Sequence, residues 1–358
     1  MTSVPSAAPL RWLQVTHETT YLYDAPAELA HHVAFLAPRA TPWQAVRQWR
    51  LQVDPAPDEW VDLDPMASGA AVAGPAAVPA RQCSHDPFGN LRLSFSHARV
   101  HDRLRVVSSF EAGLAPPPTL DLAASPAWED VAASLRYHAG AVHSEAVEFS
   151  LPSVYVPHDP ALAAFGREAF LPGRSVLAGA LALMAQVHAQ FTYKPLATSV
   201  STRATDALAG REGVCQDFAH VMIGACRSLG LSARYVSGYL LTQPPPGQPR
   251  LVGADASHAW VAVWCPLQGW VALDPTNNVP AGTDHVTLSW GRDYADVAPL
   301  RGVIRGGGRA VPQVAVTVMP LEELAAASTS PPPPGAAGPA AKPAAGVAAR
   351  SAPVADPA

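Results

Sequence analysis

The sequence predicts an α+β fold in two parts, an antiparallel β domain over residues 10–114 and a mixed domain over 125–320, followed by a disordered tail over 326–358. Three observations carry this. From Trp12 to about Phe110 the chain consists of short runs with partial alternation, WLQVTHETTYLY, VRQWRLQVDP, LRLSFSHARV and LRVVSSF, cut by DAP, PAPDEW and DPFGN. Alternation interrupted by turn formers is the pattern of antiparallel strands. Beyond residue 125, helical spacing comes first and strand-like runs follow, an order that suits α+β and not a doubly wound sheet. Between the two parts, APPPTLDLAASP at 115–126 holds more proline than an interior strand tolerates and reads as a connection.

In the second part, PAWEDVAASLRYH and the stretch from Ala161 to about Gln190 have helical spacing. VCQDFAHVMIGACRSLG repeats Phe218, Met222, Cys226 and Leu229 at steps of three and four, which predicts a buried helix ended by Gly230. SARYVSGYLL, HAWVAVW and GWVALDP read as strands separated by QPPPGQPR and CPLQ. VPQVAVTVMP alternates as a closing strand of this part, and the triple glycine at 306–308 signals a turn. After LEELAAAS the chain is dominated by Ala, Pro and Gly, a composition that cannot pack a core.

With 358 residues, 49% hydrophobic and 15% charged, the chain is long enough for two cores. A net charge of -5 without a Lys/Arg-rich run offers no field for phosphates or anionic lipid, so nucleic acid is not an expected partner. The start MTSVPSAAPLRWLQVTHETT lacks the basic-then-apolar form of a leader, and no apolar stretch approaches the roughly twenty residues that cross a bilayer; a soluble cytoplasmic protein without a membrane partner is expected. Cys83, Cys215, Cys226 and Cys265 form no CxxC pair, which argues for reduced thiols and against a structural zinc. There is no GxSxG and no GxxxxGK[ST].

Cys215 falls at the first turn of the predicted helix, where unpaired backbone N–H groups and the positive end of the macrodipole favour a thiolate. An activated thiol also needs a histidine to share its proton and a third group to orient the imidazole. His258 begins the strand ASHAWVAVW and Asp274 ends GWVALDP. If these strands pair as a hairpin through CPLQ, the two residues meet at one end of the sheet, which with Cys215 makes a papain-type arrangement. The other candidates have plainer readings. Cys226 lies on the apolar stripe of its helix as core. His220, five positions and about 140° on from Cys215, points away from the thiol. Trp260 and Trp264 alternate with His258 and either wall a cleft or pack in a half-buried strand. Asp293 suits a structural salt bridge. His31, His32, His85-Asp86 and His158-Asp159 lack the spacing of a metal site.

GVCQDFAHVMIGACRSLGLSARYVSGYL, followed by DASHAWVAVWCPLQGWVALDPTNN, closely resembles the bacterial transglutaminase-like superfamily, whose triad is Cys, His and Asp. The likeness extends back through FTYKPLATSVSTRATDALAGREG and on through GRDYADVAPLRGVIRGG, while THETTYLYDAPAELAHHVAFLAPR and HDPFGNLRLSF are similar to the β domain that precedes the catalytic domain in that subgroup. It covers about residues 12 to 320. It implies a papain-like transglutaminase core with Cys215, His258 and Asp274 as the triad, and acyl transfer on a peptide or protein substrate through a thioester. The Cys215 N–H, with Tyr193 of FTYKP as a second donor, would hold the oxyanion. Hydrolysis is expected over cross-linking, since no residue announces a water-excluding channel for an amine. The alternatives are a protein-glutamine gamma-glutamyltransferase and a non-catalytic binding module on the same fold. No cofactor or metal is expected, there being no acidic loop of calcium-binding form. Natural substrate and oligomeric state are left open.

Overall fold

A computed structural model describes residues 9–60, 83–136, 138–140, 144–242, 253 and 257–329, and the account below concerns these. The fold is α+β, with two large antiparallel sheets and a layer of helices on the second. The first sheet is organised around one long strand, β1 (Arg11–Ala34), whose alternate residues Leu13, Val15, His17 and Thr19 are buried. On one side it pairs with β6 (His101–Leu114), which in turn pairs with β2 (Gln44–Asp54). Further along, β1 pairs with β5 (Leu91–His97), and the short β3 (Glu59–Trp60) and β4 (Cys83–His85) join β5.

Two expectations for this region are corrected. The DAP cluster, read as a turn, lies inside β1. The register to β6 slips between Leu22 and Ala27, and that irregularity takes Pro26, which has no N–H to give a ladder. VPQVAVTVMP, assigned to the second part, belongs to β15 (Ala310–Pro320), which pairs with β1 from Leu13↔Pro320 to Tyr23↔Ala310. Just before it β14 (Leu300–Gly306) pairs with the far end of β1, and Gly306, Gly307 and Gly308, all at positive φ, carry the turn between them. The end of the chain therefore completes the sheet that its beginning started, satisfying the β1 edge opposite β6. Residues 115–126 hold no helix or strand, in keeping with a connection.

The helices are α1 (Trp128–Ser134), α2 (Glu145–Glu148), α3 (Pro160–Ala169), α4 (Val176–Gln190), α5 (Ala204–Gly210) and α6 (Cys215–Ser228). The stretch read as helical from 161 to 190 is two helices, capped by Asp159 and Ser175 and separated by a turn with Gly173 at φ +73°. A two-residue strand, β7 (Thr192–Tyr193), pairs in parallel with β8 (Glu212–Gly213) just before α6. The second sheet comprises β9 (Ala233–Leu240), β10 (Ser257–Cys265), β11 (Gly269–Asp274), β12 (Val279–Pro280) and β13 (His285–Gly291), in the order β12-β11-β10-β9-β13. A short α7 (Tyr294–Val297) precedes β14, and α8 (Leu321–Thr329) continues past residue 326, where disorder was expected; residues 330–358 lie outside the described set.

The main core lies between α3, α4 and α6 and the face of β10 that carries Ala259, Val261 and Val263. A second core joins the sheets, with Leu13, Val15 and Phe110 meeting Tyr239, Val286 and Leu288. Polar clamps fasten the same junction. Tyr239 Oη lies 2.9 Å from His17 Nδ1, the Gln44 amide bonds the N–H and C=O of Thr287, and the Asn90 amide bonds the N–H and C=O of Trp290.

Gly238 of β9 lies opposite both His258 and Thr287, and a methyl group there would overlap the Val286 carbonyl and the ring of Trp260. Backbone cannot yield as a side-chain tip can. Gly238→Ala should lower stability by about 1–3 kcal/mol, read as a lower midpoint in urea unfolding; an unchanged midpoint would show that the strands separate more freely than this packing implies.

Candidate active site

Local sequence explains how Cys215 comes to start a helix. Its N-cap, Val214, has no side-chain acceptor, so the capping carboxylate comes from Asp217, which accepts from the Val214 N–H at 2.8 Å and from Thr198 Oγ1 at 2.6 Å. Any side chain at Gly213 would collide with that carboxyl group. Burial raises the Asp217 pKa, and the hydrogen bonds to it pull the other way. The result is a half-buried, free thiol at the first helical residue, where backbone N–H groups have no helical partner.

β10 and β11 form the expected hairpin, with Trp264 opposite Trp270 and Val261 opposite Leu273. Alternation puts His258, Trp260 and Asp274 on one face of the sheet, and His258 Nε2 lies 2.7 Å from Asp274 Oδ2. Cys215 and the His258 ring line one cavity, and the thiol is near enough to act on the imidazole's proton. With Nε2 turned to the carboxylate, Nδ1 is the nitrogen left for sulfur. The structure thus brings Cys215, His258 and Asp274 together at one end of the second sheet. Burial alone would lower the His258 pKa, but the bond to Asp274 and the bond and charge of Cys215 outweigh it and push the group up to about 10.

Asp274 is fully buried and accepts five hydrogen bonds. Oδ1 takes the N–H groups of Thr276 and Asn277, and Oδ2 takes His258, Asn277 Nδ2 at 2.7 Å and His285 Nε2 at 3.1 Å. Burial would raise its pKa, yet these donors and the His258 charge hold it far below the ordinary carboxylate range. His285 receives the Gly282 N–H on Nδ1, so its Nε2 carries the proton that it gives to Asp274, and its ring packs edge-on to Trp260 at 5.3 Å. The donor atoms of His258, Asp274 and His285 lie within 4.8 Å of one another, a set that could hold a cation; the hydrogen bonds just described already account for each of them.

Neither His285 nor Asn277 was singled out from the sequence. Asn277 follows Asp274 by three residues in DPTNN, and a turn-forming Asn just after a carboxylate was the available signal. His285 had none. It opens the far edge strand, and only the link 281–284 brings it in. Five residue steps cover about 18 Å at most, less than the roughly 19 Å across four strand spacings of a flat sheet, so the sheet must curl and its edges approach.

A cavity of about 240 Å³ adjoins Cys215 and His258, and its opposite wall comes from the first sheet. Tyr193 lies beside Gly213 in the β7–β8 pair and is 54% exposed. Burial, then the charge of Cys215, raises its phenol pKa, and it is not among the residues lining the cavity.

The remaining candidates resolve as follows. Cys226 and His220 are fully buried, the latter stacked on Tyr155 and bonded by the Tyr294 N–H, with burial and then Arg227 lowering its pKa to about 3. Trp260 is packing, 1% exposed over Gly238, and Trp264 packs on Trp270. Asp293, expected in a salt bridge, is instead a cap: it accepts from the Ala295 and Tyr155 N–H groups. Asp86 and Asp159 likewise accept backbone N–H groups in a turn and at the start of α3. Cys226 and Cys265 are free, buried thiols, and the side chain of Cys83 lies outside the described set.

Comparison with known proteins adds to this geometry. A model of the transglutaminase-like superfamily matches residues 164–275, and one of the bacterial transglutaminase-like N-terminal region matches residues 13–67. An uncharacterized protein of Mycobacterium tuberculosis (strain ATCC 25618 / H37Rv) is 35% identical over 325 residues, covering 89% of this chain and 96% of the relative. A protein-glutamine gamma-glutamyltransferase of Pseudomonas aeruginosa is 36% identical over 106 residues, 27% of this chain and 16% of that protein. Among solved structures, a candidate cysteine protease from Cytophaga hutchinsonii superimposes with a TM-score of 0.66 at 19% identity, covering 88% of this chain and 92% of that one. Among the described residues no helix is long and apolar enough to cross a membrane.

Two outcomes follow from the geometry. His285→Ala removes one donor from a buried carboxylate and should cost about 1.5–3 kcal/mol of stability, measured by chemical unfolding. The second concerns pH. The His258 folded pKa, about 10, lies above its ordinary 6.5, so the stability it contributes is fully present below pH 6.5 and is lost as pH rises toward 10. The difference in unfolding free energy between the wild type and His258→Gln should therefore shrink between about pH 6.5 and 10; a difference constant over that range would remove the imidazolium from the account.

Proposed function

The chain belongs to the transglutaminase-like superfamily, and on that premise we propose that it is a thiol-dependent enzyme that transfers the acyl group of a peptide or protein carboxamide, by way of a thioester on Cys215, to water. The observation that carries this reading is that the Cys215 thiol at a helix start shares a cavity with the His258 ring, which is itself bonded to the buried, five-fold bonded Asp274 carboxylate. A structural cysteine does not require such an arrangement.

In the proposed reaction the Cys215 sulfur, its proton held by His258, attacks the carboxamide carbon. Charge collects on the carbonyl oxygen at the N-terminus of α6, where the Cys215 N–H is available and Tyr193 is a second candidate donor. His258 gives its proton to the nitrogen as the C–N bond breaks, leaving a thioester and a free amine. Neutral His258 then takes a proton from water, the hydroxide adds to the thioester, and collapse of that adduct releases the acid and returns the thiol. Asp274 keeps the imidazole in one orientation and favours its charged form, while His285 and Asn277 position Asp274. Hydrolysis is favoured over transfer to an amine because Cys215 is only half-buried and Ser257, next to His258, is exposed, so water reaches the acyl group.

Cross-linking remains the second reading, supported by the partial likeness to a gamma-glutamyltransferase. Incubating the protein with a glutamine-containing peptide, with and without a primary amine, and weighing the products separates the two; the acid product should dominate, and a dominant amine adduct would reverse the assignment. His258→Ala should slow turnover by roughly 10²–10⁴-fold. It should also slow alkylation of Cys215 by iodoacetamide at neutral pH and change its pH profile. If rate and profile are both unchanged, Cys215 is not an activated nucleophile and the chain is a binding module on this fold.

A further inference from the structure

The cleft beside Cys215 is built by both sheets. Val214, Cys215 and His258 form one side, and His17, Thr19 and Tyr21 of β1, Pro312 and Val314 of β15 and Leu300 form the other. Its volume of about 240 Å³ is that of roughly eight waters, room for one large side chain beside the reacting group. The first-sheet wall offers the adjacent ladder pairs Thr19↔Val314 and Tyr21↔Pro312, with Leu300 and Tyr294 beyond them. Among the described residues no Asp, Glu, Lys or Arg lines this cavity. The imidazole on that wall, His17, has both ring nitrogens engaged, Nε2 by Thr19 Oγ1 and Nδ1 by Tyr239 Oη, each at 2.9 Å. Burial lowers its pKa to about 4, so it carries no charge near neutrality. Burial, then Tyr294, pushes the Tyr21 phenol up to about 12, so it too stays neutral.

From this wall we infer that the first sheet selects the acyl donor, accepting an uncharged apolar or aromatic side chain next to the reacting carboxamide and rejecting carboxylates and ammonium groups. The inference rests on Cys215 being the nucleophile. A charged group seated against the first-sheet wall would leave water and meet no charged side chain on that wall, the His258 imidazolium lying on the opposite side beside Cys215, whereas an aromatic or branched side chain covers Val314, Leu300 and Pro312. A catalytic cysteine and histidine on one sheet thus take their substrate choice from the other, which explains why β15 and Leu300 belong to the site although they follow the chemistry-bearing residues in sequence.

Small reagents that alkylate Cys215 read this preference whatever the natural substrate. Three chloroacetamides, carrying N-benzyl, N-carboxyethyl and N-aminoethyl groups, would be compared by their rates with Cys215, each divided by its rate with glutathione. The benzyl reagent should be favoured over both charged ones by about tenfold or more. Val314→Glu, at a position 53% exposed, should reverse the order of the benzyl and aminoethyl reagents. Equal normalised rates in the wild type, or an unchanged order in Val314→Glu, would overturn the inference. Failure of the nucleophile reading looks different: iodoacetamide, which carries no such substituent, would then react with Cys215 equally fast in the wild type and in His258→Ala, whatever the order of the three reagents.

Discussion

The structure depends on one buried carboxylate. Asp274 has no exposed surface, and an ionised group in that position is tolerable only if its acceptor sites are occupied by donors. Five donors meet it, from three separate pieces of chain. The two backbone N–H groups bend the chain sharply after β11, Asn277 closes that bend, His258 fixes the start of β10, and His285 ties in the far edge of the sheet. The same hydrogen bonds that satisfy the carboxylate hold the His258 imidazole between Asp274 and the Cys215 sulfur. Stability and the proposed chemistry therefore share a single set of contacts.

A second constraint joins the two sheets. The Tyr239–His17 contact and the Gln44 and Asn90 amides bind the second sheet to the first through groups that are themselves buried, around an apolar seam of Leu13, Val15, Phe110, Val286 and Leu288. These contacts set the width of the cleft at Cys215, because His17 and Thr19 lie on the same strand as Leu13 and Val15. The N-terminal sheet is part of the site's construction and not an appendage to it.

Much of the centre was legible because its geometry is local. Cys215 at a helix start follows from Gly213, Asp217 and the periodicity of the helix behind them. His258 and Asp274 meet through a tight hairpin whose register is set by the short CPLQ link, so their proximity hardly depends on the rest of the fold. Short links transmit position faithfully, and resemblance in wording added to them. The larger misses are long-range. β15 was counted with the second part because an alternating strand says nothing about which edge it will join. The DAP cluster was read as a turn because a bulge that accepts proline depends on the neighbouring strand's register.

By itself, then, the sequence determined the α+β class, the helix that begins at Cys215, the β10–β11 hairpin that joins His258 to Asp274, and the family to which they belong. Only the tertiary structure decided that His285 completes the carboxylate's shell, that the last strands return to the first sheet, and that this sheet walls the cleft. The division has a physical cause. Hydrogen-bonding and side-chain periodicity act over a few residues and leave a trace in the local pattern, whereas the curl of a sheet and the filling of a distant edge follow from packing between segments far apart in the chain.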